Sequence, residues 1–146
     1  MTFSILDAIG NTPLVAIKRL NPNPSVRILA KLEYMNPGGS IKDRAALYMI
    51  ENGEASGELT PDKTVIEATS GNTGIGLAMI CAVKGYKCVL TMPEDLSLER
   101  IYMLRTYGAE VILCQPTLEA RQAGVREVIQ RTGAELIHPY DDVRII

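Results

Sequence analysis

Between residues 65 and 138, four short apolar segments alternate with three longer segments of helical periodicity. The apolar segments lie at residues 65–68, 86–91, 111–114 and 135–138. The helical segments lie at residues 73–84, 97–107 and 118–132, and a glycine directly follows each one. Because the short segments are apolar almost throughout, they are typical of strands covered on both faces. Repeated strand–helix units predict an α/β fold with a four-stranded parallel sheet, right-handed crossovers and helices on both faces.

The first third of the chain is irregular and lacks this alternation. Prolines interrupt it between residues 13 and 37, with short extended runs at residues 14–17 and 28–33. Apolar residues then recur at helical spacing from Ala45 to Ile50, and Gly53 suits the end of that helix. We therefore divide the chain into an extended segment, residues 1–36, and an α/β domain, residues 37–146.

Charge and cysteine usage narrow the class of function. The net charge is −2, and the basic residues are scattered among acids, which does not indicate a nucleic-acid partner. The longest apolar stretch, residues 75–83, is about half of what crosses a bilayer, and the chain does not start like a secretion signal. Three cysteines without a CxxC pair indicate free thiols in a reducing cytosol. We therefore expect a cytoplasmic protein that contacts neither nucleic acid nor membrane.

A glycine-rich loop introduces the first helix. Residues 36–44 read NPGGSIKDR, so Lys42 enters the first turn of a helix directly after a tight turn. The helix dipole is positive at this end and does not favour a cation. A lysine that is partly buried in such a place offers an amine nucleophile of the kind that a Schiff base needs. From the residues alone, a solvated surface lysine is the alternative.

A second loop, residues 69–76 (TSGNTGIG), follows a strand and precedes a helix. It is expected at the carboxyl end of the parallel sheet, where open α/β folds bind ligands. Its hydroxyls, its amide and the helix N-terminus indicate a site for an anion, either a phosphate or a carboxylate. The glycine spacing GxxGxG matches neither a Walker A loop nor GxGxxG. A plain strand–turn–helix connection is the alternative.

Together with GNTPLV at residues 10–15, these two segments closely resemble the fold-type II pyridoxal-phosphate (PLP) enzymes. Within that group, the cysteine synthases and the cystathionine β-synthases look nearest. The resemblance runs from about residue 5 to residue 108 and contains GNTPLV, NPGGSIKDR and EATSGNTGIGLA in this order. It implies that the chain is the small N-terminal domain of such an enzyme and that the second domain is largely absent. Residues 1–36 would then belong with that missing large domain.

The resemblance also implies roles for individual residues. Lys42 would hold the PLP cofactor and, once freed, act as the base on the substrate. Asn72 would hydrogen-bond the ring hydroxyl of the cofactor. The substrate carboxylate would be gripped by a loop that consists of Thr69, Ser70, Gly71 and Thr73. The implied reaction is β-replacement or β-elimination on serine-derived amino acids, and cysteine formation from O-acetylserine and sulfide is favoured for the full-length protein.

The tail of the chain departs from the cysteine synthases. Those enzymes usually carry a glutamine pair near residues 136–140, whereas residues 138–142 here read HPYDD. This tail looks more like the threonine and serine dehydratases of the same fold type, so dehydration is the alternative reaction. No other ligand residues accompany His138, Asp141 and Asp142 in the sequence, so we expect no metal site.

The resemblance further implies that part of the cofactor site is missing. Family members hold the cofactor phosphate in a glycine- and threonine-rich loop that would lie beyond residue 146. We therefore expect a fragment that binds PLP weakly or not at all without the missing half. Full-length relatives are usually homodimers, and the substrate loop of cysteine synthases can accept the C-terminal tail of serine acetyltransferase. A non-catalytic domain that binds an anion or a partner's C-terminus is the alternative from a different class.

Overall fold

The structure is a computed structural model that describes residues 4–69 and 71–133, together with the backbone of residues 135 and 136. A small antiparallel sheet consists of β1 (Leu14–Ala16) and β2 (Leu29–Lys31). The longer strands of the parallel sheet are β3 (Thr64–Ala68), β4 (Lys87–Pro93) and β5 (Glu110–Cys114). The α-helices are α1 (Lys42–Ser56), α2 (Asn72–Lys84), α3 (Leu98–Thr106) and α4 (Leu118–Thr132). Single-turn 3-10 helices lie at Ile5–Ala8 and Glu33–Met35.

The predicted α/β architecture is confirmed, with three parallel strands in the order β5–β4–β3. Only the first two residues of the predicted fourth strand are described. Their backbone, Glu135–Leu136 (β6), pairs in parallel with β3 on the side away from β4. Because residues 137 and 138 lie outside the described part of the chain, a complete four-stranded sheet stays a prediction.

The order of the strands indicates where a ligand would bind. The chain proceeds from β3 through β4 to β5 in one direction, and then returns after α4 to the other side of β3. In open α/β sheets, ligands bind outside the carboxyl ends of the strands at such a reversal. The predicted anion loop begins directly after β3, so it lies at this point.

Apolar clusters cover both faces of the sheet, as predicted. On one face, Met49 of α1 and Leu90 of β4 belong to a cluster that also includes residues of α2 and α3. On the other face, Val128 of α4 packs with Ile66 of β3 and Val89 of β4. Each of these side chains is at least 96% buried, so both layers are closed to solvent. Among the described residues, no helix is long and apolar enough to cross a membrane.

The prediction that a particular glycine ends each helix is confirmed for α2 but wrong for α1. Gly85 ends α2 in the left-handed conformation, with φ of 83°. The first helix does not end at Gly53, which is buried within it, but continues to Ser56 and ends at Gly57. The amide of Leu59 then donates to the Gly53 carbonyl at 2.9 Å, and Leu59 is buried. Burial of this leucine sets the end of α1, which the local glycine pattern does not reveal.

Candidate active site

The loop after β3 is held by hydrogen bonds of Thr69. The Thr69 amide donates to the carbonyl of Thr91 on β4 at 3.0 Å, and the Thr69 side chain is buried. Its hydroxyl oxygen accepts from the amide of Gly71 at 3.3 Å. The loop is therefore fixed to the sheet at its first residue and turns directly into α2.

The N-terminus of α2, which follows this loop, provides backbone amide donors. Its N-cap residue is Gly71, which has no side chain to accept from the first amides of the helix. Asn72 is exposed at the first helical position, and Thr73 is buried. Because first-turn amides lack intrahelical partners and the dipole is positive there, this end favours an anion. Ser70, which was predicted to act here as well, lies outside the described residues.

Two glycines allow α2 to approach its neighbours closely. A methyl group on Gly74 would lie 2.5 Å from Cγ2 of Thr69, which is shorter than real contacts. A methyl group on Gly76 would lie 3.1 Å from Cβ of Ala46 and 3.3 Å from the carbonyl oxygen of Lys42. Gly76 therefore brings the start of α1 against α2, and the backbone of Lys42 lies one helical turn from the anion loop.

Replacing Gly74 with alanine is expected to destabilise the chain by about 1–3 kcal/mol, because the methyl group must displace the Thr69 side chain. Unfolding in urea measures the change. Gly124→Ala in α4 is the matched control, since it gains the same helix propensity but its methyl group would lie 3.2 Å from the nearest atom, in Thr91. Equal effects of the two substitutions would contradict the close packing at Thr69.

The residues around Lys42 fix the loop that precedes α1. The Ser40 hydroxyl oxygen accepts from the Lys42 amide at 3.1 Å. Oδ2 of Asp43, which is fully buried, accepts from the Gly38 amide at 2.5 Å. Its other oxygen, Oδ1, is buried without a hydrogen-bond partner among the described residues, and burial raises the pKa of Asp43. A methyl group on Gly38 would lie 2.5 Å from that oxygen, so the loop requires glycine at this position.

Glu67 is an ionisable group near this site that the sequence reasoning missed. It lies on β3 two residues before Thr69, and it is 3% exposed. Burial raises the pKa of Glu67 to about 8, while the positive charge of Lys42, itself half-buried, acts in the opposite direction. The Lys42 amine therefore lies within electrostatic reach of a buried carboxyl. The signal in the sequence was a single acid in an otherwise apolar strand.

An ion-pair cluster attaches the N-terminal segment to α1 near Lys42. Arg44 donates from Nε to Oε2 of Glu33 at 2.8 Å and from Nη2 to Oε1 at 3.0 Å. The Thr12 hydroxyl and the Asn36 side-chain amide donate to the same carboxylate, at 2.5 and 3.0 Å. The hydrogen bonds from Arg44 and Thr12 lower the pKa of Glu33 to about 2.

This cluster predicts a pH dependence of stability in acid. The pKa of Glu33 is lowered from 4.5 to about 2, so its stabilising effect is complete above pH 4.5 and is lost as the pH falls towards 2. Glu33→Gln should therefore be less stable than the unmodified chain above pH 4.5, and the difference should vanish near pH 2. Urea unfolding across this range measures it, with the exposed Glu51→Gln as control. A difference that does not change with pH would contradict the assignment.

The other predicted features of the site have mixed outcomes. The structure brings Lys42 close to α2, which begins at Asn72 shortly after Thr69, but the individual roles assigned to these residues stay predictions. His138, Asp141 and Asp142 lie outside the described residues. Within the described ranges, no group of three or more histidine, cysteine or acidic side chains could hold a metal ion.

Comparison with known proteins identifies relatives of this chain. A family model described as pyridoxal-phosphate dependent enzyme matches residues 5–146. A cysteine synthase of Staphylococcus aureus is 49% identical over 124 residues, which cover 85% of this chain and 40% of that protein. A cystathionine beta-synthase of Rattus norvegicus is 54% identical over 110 residues, which cover 74% of this chain and 20% of that protein. The chain thus spans less than half the length of these curated relatives.

Solved structures share the fold over nearly the whole chain. A hydrogen sulfide-producing enzyme from Fusobacterium nucleatum has a TM-score of 0.90 and 46% identity, over 99% of this chain and 48% of its own. An O-ureido-L-serine synthase has a TM-score of 0.85 and 38% identity, over 93% of this chain and 43% of its own. An O-acetyl serine sulfhydrylase from Entamoeba histolytica has a TM-score of 0.85 and 36% identity, over 95% of this chain and 43% of its own.

Proposed function

The chain belongs to the pyridoxal-phosphate dependent enzyme family, and we propose that the full-length protein is a cysteine synthase that makes cysteine from O-acetylserine and sulfide. The family and its cofactor agree with the resemblance found in the sequence. The observation that carries the proposal is the close approach of the start of α1 to α2, where the carbonyl oxygen of Lys42 lies against Gly76. The first of these helices begins with Lys42, and the second follows the loop at Thr69.

The residues present fit this cofactor and an amino-acid substrate. Lys42 offers a primary amine in a half-buried position, within electrostatic reach of a buried carboxyl. The α2 N-terminus offers amide donors to a carboxylate. When bound, PLP withdraws electrons from the substrate Cα, which makes removal of the Cα proton possible.

Each predicted residue has a distinct task in this proposal. Lys42 would hold the cofactor and would accept the Cα proton at Nζ once its amine is free. Asn72 would hydrogen-bond the cofactor ring hydroxyl from the exposed first position of α2. The substrate carboxylate would be bound by Thr69, Ser70, Gly71 and Thr73. Because Thr69 is fixed to β4 through its amide, the bound carboxylate would keep one orientation relative to Lys42.

The competing reaction is dehydration of threonine or serine. The tail at residues 138–142 favours it, although that tail lies outside the described residues. The identity to a cysteine synthase favours the synthase. Assays of the full-length protein should find cysteine from O-acetylserine plus sulfide, and little keto acid from threonine. Release of keto acid alone would overturn the proposed reaction.

A second candidate function is binding without catalysis. The anion-favouring N-terminus of α2 suits the carboxylate of a partner's C-terminus, for which the resemblance offers the tail of serine acetyltransferase. For either function, we propose that the full-length protein is a cytoplasmic homodimer. A synthetic peptide of that tail should bind in competition with a carboxylate substrate if the loop serves both. Peptide binding without any cofactor adduct on Lys42 would favour the binding role.

A further inference from the structure

The side-chain amide of Asn36 joins three segments of the chain. Asn36 directly follows the 3-10 helix Glu33–Met35 and is 3% exposed. Its Oδ1 accepts from the amide of Gly10 at 2.8 Å, while its Nδ2 donates to the Ser40 carbonyl at 3.0 Å. The same nitrogen donates to Glu33, at 2.9 Å to the carbonyl oxygen and at 3.0 Å to Oε2. The amide therefore ties the GNTPLV motif to the loop that precedes α1.

This loop fixes the backbone of Lys42 on its amide side. The Lys42 amide donates to the hydroxyl oxygen of Ser40, whose carbonyl is the group that Asn36 holds. That carbonyl also accepts from the Asp43 amide, but at 3.4 Å, so the bond from Asn36 is the shorter one. On the other side of the Lys42 Cα, the Lys42 carbonyl oxygen lies against Gly76 of α2. Because the side chain pivots about this Cα, a shift on the amide side would displace the amine.

The position of Asn36 requires an amide side chain. Asparagine carries an acceptor oxygen and two N–H donors on a short side chain, and the structure uses both kinds of group. An aspartate here would still accept from Gly10, but it could not donate to the Ser40 carbonyl and would add a charge beside the Glu33 carboxylate. An alanine would remove the partner of both backbone groups. Because the bond to Ser40 is buried, its loss is not fully replaced by water.

We propose that Asn36 is a positioning residue for Lys42, which it holds through Ser40 so that the amine keeps one place relative to a bound substrate. The inference rests on the proposed role of Lys42, which is to hold the cofactor and accept the Cα proton. A displacement of about 1 Å can slow such a step by about a hundredfold. The substrate carboxylate is assigned to the loop at Thr69, which other hydrogen bonds fix. Loss of the Asn36 amide therefore slows the reaction more than it weakens substrate binding.

Hydrogen exchange of the Lys42 amide, followed by NMR without PLP, tests the structural link. Asn36→Ala should speed this exchange by about tenfold, because the Ser40 hydroxyl no longer stays in place to accept from the amide. Val128→Ala is the matched control, since it destabilises the core on the opposite face of the sheet. A first-turn amide exchanges by local opening, so the Lys42 rate should change little in this control. An unchanged Lys42 rate in Asn36→Ala would overturn the inference.

Steady-state kinetics of the full-length protein separates positioning from folding. Asn36→Ala should lower kcat by about tenfold to a hundredfold and leave KM for O-acetylserine within about twofold, whereas Val128→Ala should keep both. Asn36→Asp should lose as much near pH 8 but recover, relative to the unmodified protein, as the pH falls towards about 5, because a carboxyl donates only when protonated. Arg44 keeps Glu33 ionised over this range, since the pKa of Glu33 is about 2. A normal kcat in folded Asn36→Ala would overturn the inference.

Ser40→Ala keeps the inference testable if neither Asn36 variant folds. It removes the hydroxyl that accepts from the Lys42 amide and leaves the bonds from Asn36 to Gly10 and Glu33 in place. The same rise in Lys42 exchange and the same fall in kcat are expected, and the absence of either would overturn the inference. Absence of a PLP adduct on Lys42 in the unmodified protein would count against the proposed function alone, because the exchange experiment uses no PLP.

Discussion

Lys42→Ala is expected to reduce the cofactor adduct that borohydride traps on this chain by more than about tenfold. Exposed lysines also react with an aldehyde, but their adducts exchange quickly with solvent. Lys42 differs from them because it is the first residue of α1, is half-buried and lies within electrostatic reach of the buried carboxyl of Glu67. At a high concentration of PLP, the adduct of the unmodified chain should therefore map to the peptide that contains Lys42.

Lys87→Ala is the matched control for this experiment. Lys87 is exposed at the first residue of β4, which is the opposite end of the parallel sheet from the candidate site. Its removal should leave the mapped adduct unchanged. Retention of the adduct in Lys42→Ala, or its loss in Lys87→Ala, would place the cofactor elsewhere.

The sequence predicted the fold well because its local signals agree with the tertiary packing. Apolar strands that alternate with glycine-ended helices leave few topologies other than a parallel sheet, and the structure has three such strands. The end of α1 was misplaced because Gly53 is a local signal, whereas the observed end depends on burial of Leu59. That burial joins residues in space and is not visible in a short window of sequence.

The candidate site was predictable only where a motif marks it. The two loops gave Lys42 and the segment after β3. The NPGGSIKDR motif contains Arg44, but it does not indicate the partner Glu33, which lies 11 residues earlier in the chain. Glu67 was missed for a different reason. The strand was predicted to be covered on both faces, but the pattern gave no chemical role to the single acid within it. Its burial and its neighbour on α1 both follow from tertiary structure.

The chain is expected to lose stability as the pH rises from 4.5 to about 8, and Glu67→Gln is expected to remove most of this loss. Burial raises the pKa of Glu67 from 4.5 to about 8 in the folded state. Between these values the Glu67 carboxyl binds more protons in the folded state than in the unfolded state, so its contribution to the free energy of unfolding is greatest below pH 4.5 and falls until about pH 8. A shift of this size corresponds to about 3–5 kcal/mol.

Urea unfolding at about pH 5 and about pH 8 measures the effect through the difference between the variant and the unmodified chain. The free energy of unfolding of Glu67→Gln should increase relative to that of the unmodified chain as the pH rises. The corresponding difference for Glu51→Gln, a change at an exposed residue, should not depend on pH. Burial also raises the pKa of Asp43, which adds a loss of the same sign, so the difference between chains is more diagnostic than the slope of either one. The effect of Glu33 lies below pH 4.5, in a separate range. Parallel stability curves for Glu67→Gln and the unmodified chain would mean that the Glu67 carboxyl reaches solvent, because only a carboxyl that resists ionisation can produce the predicted slope.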